Sequence, residues 1–172
     1  TKIDQLRSEN KRIDLPSKTA AQEHHGVGIL VAKTWVPCIL NVQAVSSRIL
    51  ICSIRGTPNW HVFVVYAPHS YRPDSEKDQF WNDLSSLWNT FPNHEVRILL
   101  GDFNSKILEQ PISLTNHIGP HIVKLDHGTW DSVPDEVADN RNRFLNFVSQ
   151  ENLWVANSFF EKPRSKLVTH KH

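Results

Sequence analysis

The sequence predicts a mixed α/β fold in which strands predominate and a few long helices cover them. Two observations carry this. Apolar, β-branched runs recur at Gly26–Ala32, Ser47–Arg55, His61–Ala67 and Arg97–Asp102, separated by turn-forming residues. Two other stretches, Asp74 to Phe91 and Asn140 to Glu151, instead place their apolar residues at helical spacing. Strands with one apolar face must bury it, and helices laid over a sheet are the usual solution. At 172 residues, 39% hydrophobic and 22% charged, the chain has room for one core, so one domain is expected over residues 26–172. A polar segment, residues 1–25, precedes it.

Taken in order, residues 1–25 read as a surface segment, because they are polar and Pro16 would interrupt a helix. Gly26–Ala32 and Ser47–Arg55 read as strands, with a further short strand crossing between them within Trp35 to Ser46. Gly56-Thr-Pro-Asn59 has turn chemistry, so Ser47–Arg55 and His61–Ala67 should pair as a hairpin. Asp74 to Phe91 carries Phe80, Leu84, Leu87, Trp88 and Phe91 on one helical face, with acidic residues at its start, where they suit the helix dipole. Arg97–Asp102 reads as a buried strand, since Ile98, Leu99 and Leu100 are consecutive and apolar. Residues 105–138 are loop-rich, with Pro111, Gly119, Pro120, Gly128 and Pro134. The helix from about Asn140 should turn Phe144, Leu145, Phe147 and Val148 to a core, and Leu153–Phe159 completes a strand. No internal repeat or low-complexity tract is present.

Composition restricts function. Nineteen basic against eighteen acidic residues give a net charge of +1, so no global field recruits nucleic acid and any DNA contact must be local. Cys38 and Cys52 lie in apolar surroundings without metal-ligand spacing, which suits reduced thiols in an intracellular protein. No apolar run approaches the roughly 20 residues of a membrane span, and no signal peptide is visible. The chain opens on Thr1 and contains no methionine, which suggests a piece of a longer product.

The chemistry gathers where strands stop. Arg97-Ile-Leu-Leu-Gly-Asp-Phe-Asn104 delivers a carboxylate and an amide two positions apart. If the extended backbone persists through Phe103, Asp102 and Asn104 share a face. The run ending in Tyr66 continues into Ala67-Pro68-His69, bringing a phenol and an imidazole to a second strand end. Each of these has a bland alternative. An Asp-x-Asn can simply close a strand into a turn, and a strand-end tyrosine can bury its ring and wet its hydroxyl.

Together, Gly26-Val-Gly-Ile-Leu-Val31, Val65-Tyr66-Ala67-Pro68-His69, Leu100-Gly101-Asp102-Phe103-Asn104 and Asn140-Arg-Asn142 before Arg143-Phe144-Leu145 resemble the endonuclease/exonuclease/phosphatase superfamily. Within it, the likeness is greatest to the endonuclease domains of non-long-terminal-repeat retrotransposons and to craniofacial-development-protein-2-like sequences. The motif order holds from about Gly26 to Thr169, which is more specific than any single motif. The resemblance implies a deoxyribonuclease-I-like four-layer sandwich, two packed and mostly antiparallel sheets flanked by helices, here incomplete.

It also implies roles. Phosphodiester hydrolysis needs a positioned water, a cation for the crowded phosphorus and an acid for the departing oxygen. Asp102 matches the aspartate that handles the nucleophile or leaving-group proton, Asn104 the amide that orients it, and Tyr66 the phenol that touches the scissile phosphate. His69 and Asn142 match substrate-side positions, although relatives often carry a small polar residue at the first. A glycine that follows the second in the family is Arg143 here, which would reshape an Asn-x-Asn-Gly turn. Arg143 could add a phosphate contact, but a solvated arginine at a helix start is the simpler account. Mg²⁺ or Mn²⁺ is the implied cofactor, with Asp102 and Asn104 as its ligands here.

The family's metal-binding Glu and its carboxyl-terminal Ser-Asp-His have no counterpart in the sequence. Gln22-Glu23 lies in what the family has as variable loop, and no Ser-Asp precedes His172. The chain by itself is therefore expected to lack appreciable nuclease activity. DNA is the implied partner and the nucleus the implied location for a retrotransposon-type enzyme. A catalytically dead remnant serving as a binding module is the main alternative, and a phosphatase or phosphoinositide enzyme of the same fold a third. Other constellations are weaker. His117 and His121 stand four apart, but Gly119-Pro120 argues against a helical zinc pair, and no Gly-x-Ser-x-Gly elbow supports a hydrolase triad. Asp131, Asp135, Glu136 and Asp139 lack calcium-loop spacing and read as a solvated face.

Overall fold

A computed structural model describes residues 26–123 and 133–163. Its architecture is mixed α/β, as expected, with one four-stranded sheet and two long helices among the described residues, an incomplete form of the sandwich. The chain divides into two compact units. The first takes the residues up to Ala67 and Asn82–Phe103, and the second takes Pro68–Trp81 and the chain from Asn104 onward.

The first unit is the sheet. Strands β1 (Ile39–Ala44), β2 (Ile49–Ile54), β3 (Trp60–Tyr66) and β4 (Val96–Asp102) lie side by side in chain order. β1, β2 and β3 pair antiparallel, and β4 joins β3 in parallel. The predicted β2–β3 hairpin forms, with Ile51 opposite Phe63 and Cys52 opposite Val62. At its turn the Gly56 N–H donates to Asn59 Oδ1. Ile49 to Ser53 are all buried, so both faces of β2 are covered. On one face Leu50, Cys52 and Val62 gather Val27, Ile29, Ile39, Val42, Ile54 and Val64 around them. Burial pushes the Cys52 thiol up, which keeps it protonated and inert. Alternation puts Ile49, Ile51, Phe63 and Val65 on the other face. There the fully buried Phe63 ring meets Trp88 at 5.0 Å and Phe91 edge-on at 5.5 Å.

Trp88 ends helix α1 (Asp74–Trp88), whose last residues belong to this unit and bury Leu84 completely. Asp74 and Glu76 occupy its first turn, as the dipole favours. Two expectations in this unit need correction, at Gly26–Ala32 and at β4. Gly26–Ala32 shows only a bridge residue at Ile29 rather than a strand, although Val27 and Ile29 still alternate onto the apolar face. The short strand expected within Trp35 to Ser46 does form, as β1, behind a 3₁₀ turn at Lys33–Cys38. β4 is not a buried strand. Among the described residues it pairs only with β3, its apolar residues are half-buried, and Leu100 is 50% exposed.

The second unit packs aromatic residues between helices. α2 (Asp135–Gln150) buries Phe144, Leu145, Phe147 and Val148 as predicted. Phe147 and Phe144 face the Trp81 ring of α1 at 5.3 and 6.3 Å. α2 starts five residues before the expected Asn140, because Asp135 and Glu136 form its first turn behind Pro134. Leu153–Phe159 is not a strand: Val155 makes a single parallel bridge to Ile118, and Ala156–Ser158 forms a 3₁₀ turn. Among the described residues no helix is long and apolar enough to cross a membrane.

Candidate functional site

Because β3 and β4 run in parallel, their carboxyl ends fall at the same end of the sheet. Tyr66 and Asp102 are partners in the ladder there, so their side chains leave the same face, on strands about 4.8 Å apart. The Ala67 N–H donates to the Asp102 carbonyl at 2.9 Å and carries the pairing one step further. Gly101 makes this approach possible. Its φ of 147° lies where side chains are strained, and a Cβ there would sit 1.9 Å from the Val65 carbonyl oxygen. The Gly-Asp dipeptide of the motif thus has a steric reason: the glycine lets β4 close on β3 immediately before the carboxylate.

A third side chain joins the row. Arg48 immediately precedes β2, and its alternation continues the face of Leu50 and Cys52. Its carbonyl accepts the Tyr66 N–H at 2.9 Å, its guanidinium donates back to the Tyr66 carbonyl at 3.3 Å, and that guanidinium lies 5.4 Å from the centre of the Tyr66 ring. Exposure is graded along the row: Arg48 is buried, Tyr66 half-buried and Asp102 exposed. An ionised carboxylate only accepts protons, a phenol can donate one, and a guanidinium contributes fixed positive charge. The row therefore offers a base or orienting acceptor at the open end, with a hydrogen-bond donor beside it. Sequence reasoning missed Arg48. The signal that could have found it was alternation within the predicted strand Ser47–Arg55, which sets Arg48 on the face of Leu50 and Cys52.

The other candidate site residues, Asn104, His69 and Asn142, lie in the second unit. The β4 ladder ends at Asp102, and Asn104 adopts a left-handed φ of 48°, so the expected extension through Phe103 does not occur. Asparagine tolerates that conformation, and the Asn104 carbonyl is held by Asn140 Nδ2 at 3.0 Å. Asn140 is buried on α2 and also donates to the Pro68 carbonyl at 3.0 Å, while its own carbonyl accepts Ser105 Oγ. His69 is exposed beyond Pro68, its carbonyl accepting the Arg72 N–H.

Asn142 is exposed in the interior of α2, so the expected Asn-x-Asn turn is helix instead. Arg143 is likewise not a solvated helix-start residue. It pairs with Asp139, with Asp78 and, at 3.6 Å, with Asp74. Asp139, expected on a solvated face, accepts the buried Lys77 ammonium at 2.6 Å. Burial raises the Asp139 carboxyl, but hydrogen bonds and charge from Lys77 and Arg143 outweigh it and hold the group below the usual carboxylate range.

Among the described residues no three His, Cys, Asp or Glu side chains gather where an ion could be held. Mg²⁺ typically takes one or two carboxylates and completes its shell with water and phosphate oxygens. Asp102 supplies one carboxylate, which by itself is not a site. Gln22-Glu23, Asp131 and His172 lie outside the described residues.

No family model and no solved structure matches the chain. It is similar to craniofacial development protein 2 of Tragulus javanicus, at 26% identity over 147 residues, 84% of this chain and 23% of that protein. The same protein of Bos taurus is also 26% identical over 147 residues, 22% of its length. The chain thus spans less than a quarter of the curated relatives it matches. The likeness is distant and reaches a nuclease-like group at most.

Proposed function

We propose that the chain carries part of a metal-dependent phosphodiesterase site, of the DNA-nicking kind found in retrotransposon endonucleases. The observation that supports this most is the pairing of Tyr66 with Asp102 at the carboxyl ends of two parallel strands. In-line attack on a phosphodiester requires acid–base and phosphate-binding groups fixed within a phosphate's reach of one another. Asp102, exposed at the rim, takes or orients the proton of the attacking or leaving oxygen. Tyr66 donates its phenol hydrogen bond to a non-bridging phosphate oxygen. A divalent cation, when bound, would neutralise the charge that develops on the phosphate.

By itself the chain should not nick. Groups that cleave as a unit lose far more than a proportional share of rate when some are missing. Incubation with supercoiled plasmid and Mg²⁺ should therefore leave the plasmid closed. Nicking that disappears in Asp102→Ala would show a working site in this chain alone. The function itself is tested on the longest product its transcript encodes, which should nick plasmid in Mg²⁺ and lose that activity with Asp102→Ala or Tyr66→Phe. Nicking indifferent to both changes would remove the site from these residues, and DNA binding without cleavage would favour the binding-module alternative.

A further inference from the structure

We propose that Arg48 is a positioning residue for Tyr66, fixing the phenol and setting a positive charge beside it; this rests on the phosphodiester reading above. Arg48 is only 9% exposed. A buried guanidinium costs free energy unless its donors and charge are met, so a residue that served only to cap β2 would be cheaper as an apolar one.

The contacts of Arg48 with Tyr66 run in both directions. Backbone pairing sets the main chain of Tyr66, the guanidinium fixes its carbonyl, and the same guanidinium lies over its ring. A planar cation over an aromatic face restricts the ring, and thereby the direction of the hydroxyl. Lysine would keep the charge and lose that plane.

Arg97 provides an internal contrast. It lies over Trp88 at 4.8 Å and donates to the Trp88 carbonyl at 3.0 Å, the same pair of contacts made at the amino end of β4, away from the carboxyl ends that carry Tyr66 and Asp102. Arg48, unlike Arg97, makes them to a residue of the proposed site. Its charge there favours an anionic phosphate, and a phenol held in one direction loses less entropy on meeting it.

The chain has two tyrosines, so Tyr71→Phe leaves Tyr66 as the only site for 3-fluorotyrosine and gives one ¹⁹F resonance. Arg48→Met should shift that resonance in the free protein, and Arg97→Met should not. Adding a short DNA duplex with Mg²⁺ should move the resonance of the unsubstituted protein. Its apparent affinity should fall about tenfold in Arg48→Met. Arg48→Lys, which keeps the charge, should restore most of that loss while its free resonance stays displaced. If circular dichroism shows that Arg48→Met does not fold, Arg48→Lys carries the comparison. A Tyr66 resonance unmoved by the folded Arg48 variants would overturn the positioning role. A resonance that shifts with Arg48 but ignores the duplex would instead overturn the phosphodiester function, leaving the coupling intact.

Discussion

The sheet unit and the helical unit are held together by different physics, and the contrast explains which parts of the chain announce themselves. In the sheet, cohesion comes from strand ladders and from apolar side chains that alternate onto two faces, so the face each residue joins follows from its parity. In the helical unit an aromatic patch on α1 and α2 is joined by side chains reaching single backbone groups. Asn140 holds the carbonyls of Pro68 and Asn104, Arg141 those of Ile107 and Glu109, and His117 that of Leu153. Hydrophobic burial is periodic and non-directional, whereas a side-chain clamp depends on a partner that no period predicts.

The largest effect should come from the apolar side of this contrast. Phe63 is fully buried and packs on Trp88 and Phe91. Phe63→Ala should cost about 3–5 kcal/mol, since truncating a buried aromatic loses both transfer energy and packing. Urea unfolding would measure it, and hydrogen exchange should accelerate across β2 and β3. A loss under about 1 kcal/mol would mean that the sheet is not held by its faces.

A polar clamp should be worth less and act more locally. Asn140→Ala leaves two backbone carbonyls without the amide that meets them. An unmet buried acceptor costs about 1–3 kcal/mol. Exchange should quicken at amides around Asn104 and Ser105 while β2 and β3 keep their protection. Equal acceleration in the strands would contradict the local character assigned to the clamp.

The same contrast governs what the sequence revealed. Apolar, β-branched content located β2 and β3, and helical spacing brought Phe80, Leu84 and Trp88 of α1, with Phe144 and Phe147 of α2, to buried positions. That content misled at β4 in burial rather than in kind, because consecutive apolar residues imply neighbours on both sides and, among the described residues, this strand pairs with one. It failed at Leu153–Phe159 because β-branched and aromatic content cannot distinguish a ladder from one bridge. Tyr66 and Asp102 were legible as strand-end residues. Arg48 was not, since it fell inside the predicted strand Ser47–Arg55 and belonged to no motif. Asn140 was noticed only as part of a motif. Its two carbonyl partners lie 36 and 72 positions away, a separation that local pattern cannot register.

The smallest expected effect tests a polar chain inside the sheet unit. Ser53 Oγ lies 2.9 Å from His61 Nδ1, and His61 Nε2 lies 2.6 Å from Glu95 Oε2, while Asn59 Nδ2 donates to Glu95 Oε1 at 2.8 Å. Because an ionised carboxylate only accepts, the proton of that short contact rides on Nε2. The hydrogen bond from His61, joined by that from Asn59, holds the Glu95 carboxyl below its usual range. A folded-state value depressed in this way contributes stability above the ordinary carboxylate range and loses it as pH falls through the folded value. Glu95→Gln should therefore lower the urea midpoint modestly at neutral pH, and the two proteins should converge as pH falls below the ordinary carboxylate range and the carboxylate of the unsubstituted chain is protonated. A gap that stayed constant down the acid limb would mean that Glu95 acts by shape rather than charge. The chain from Ser53 to Glu95 would then belong with the non-directional packing around it rather than with the clamps of the helical unit.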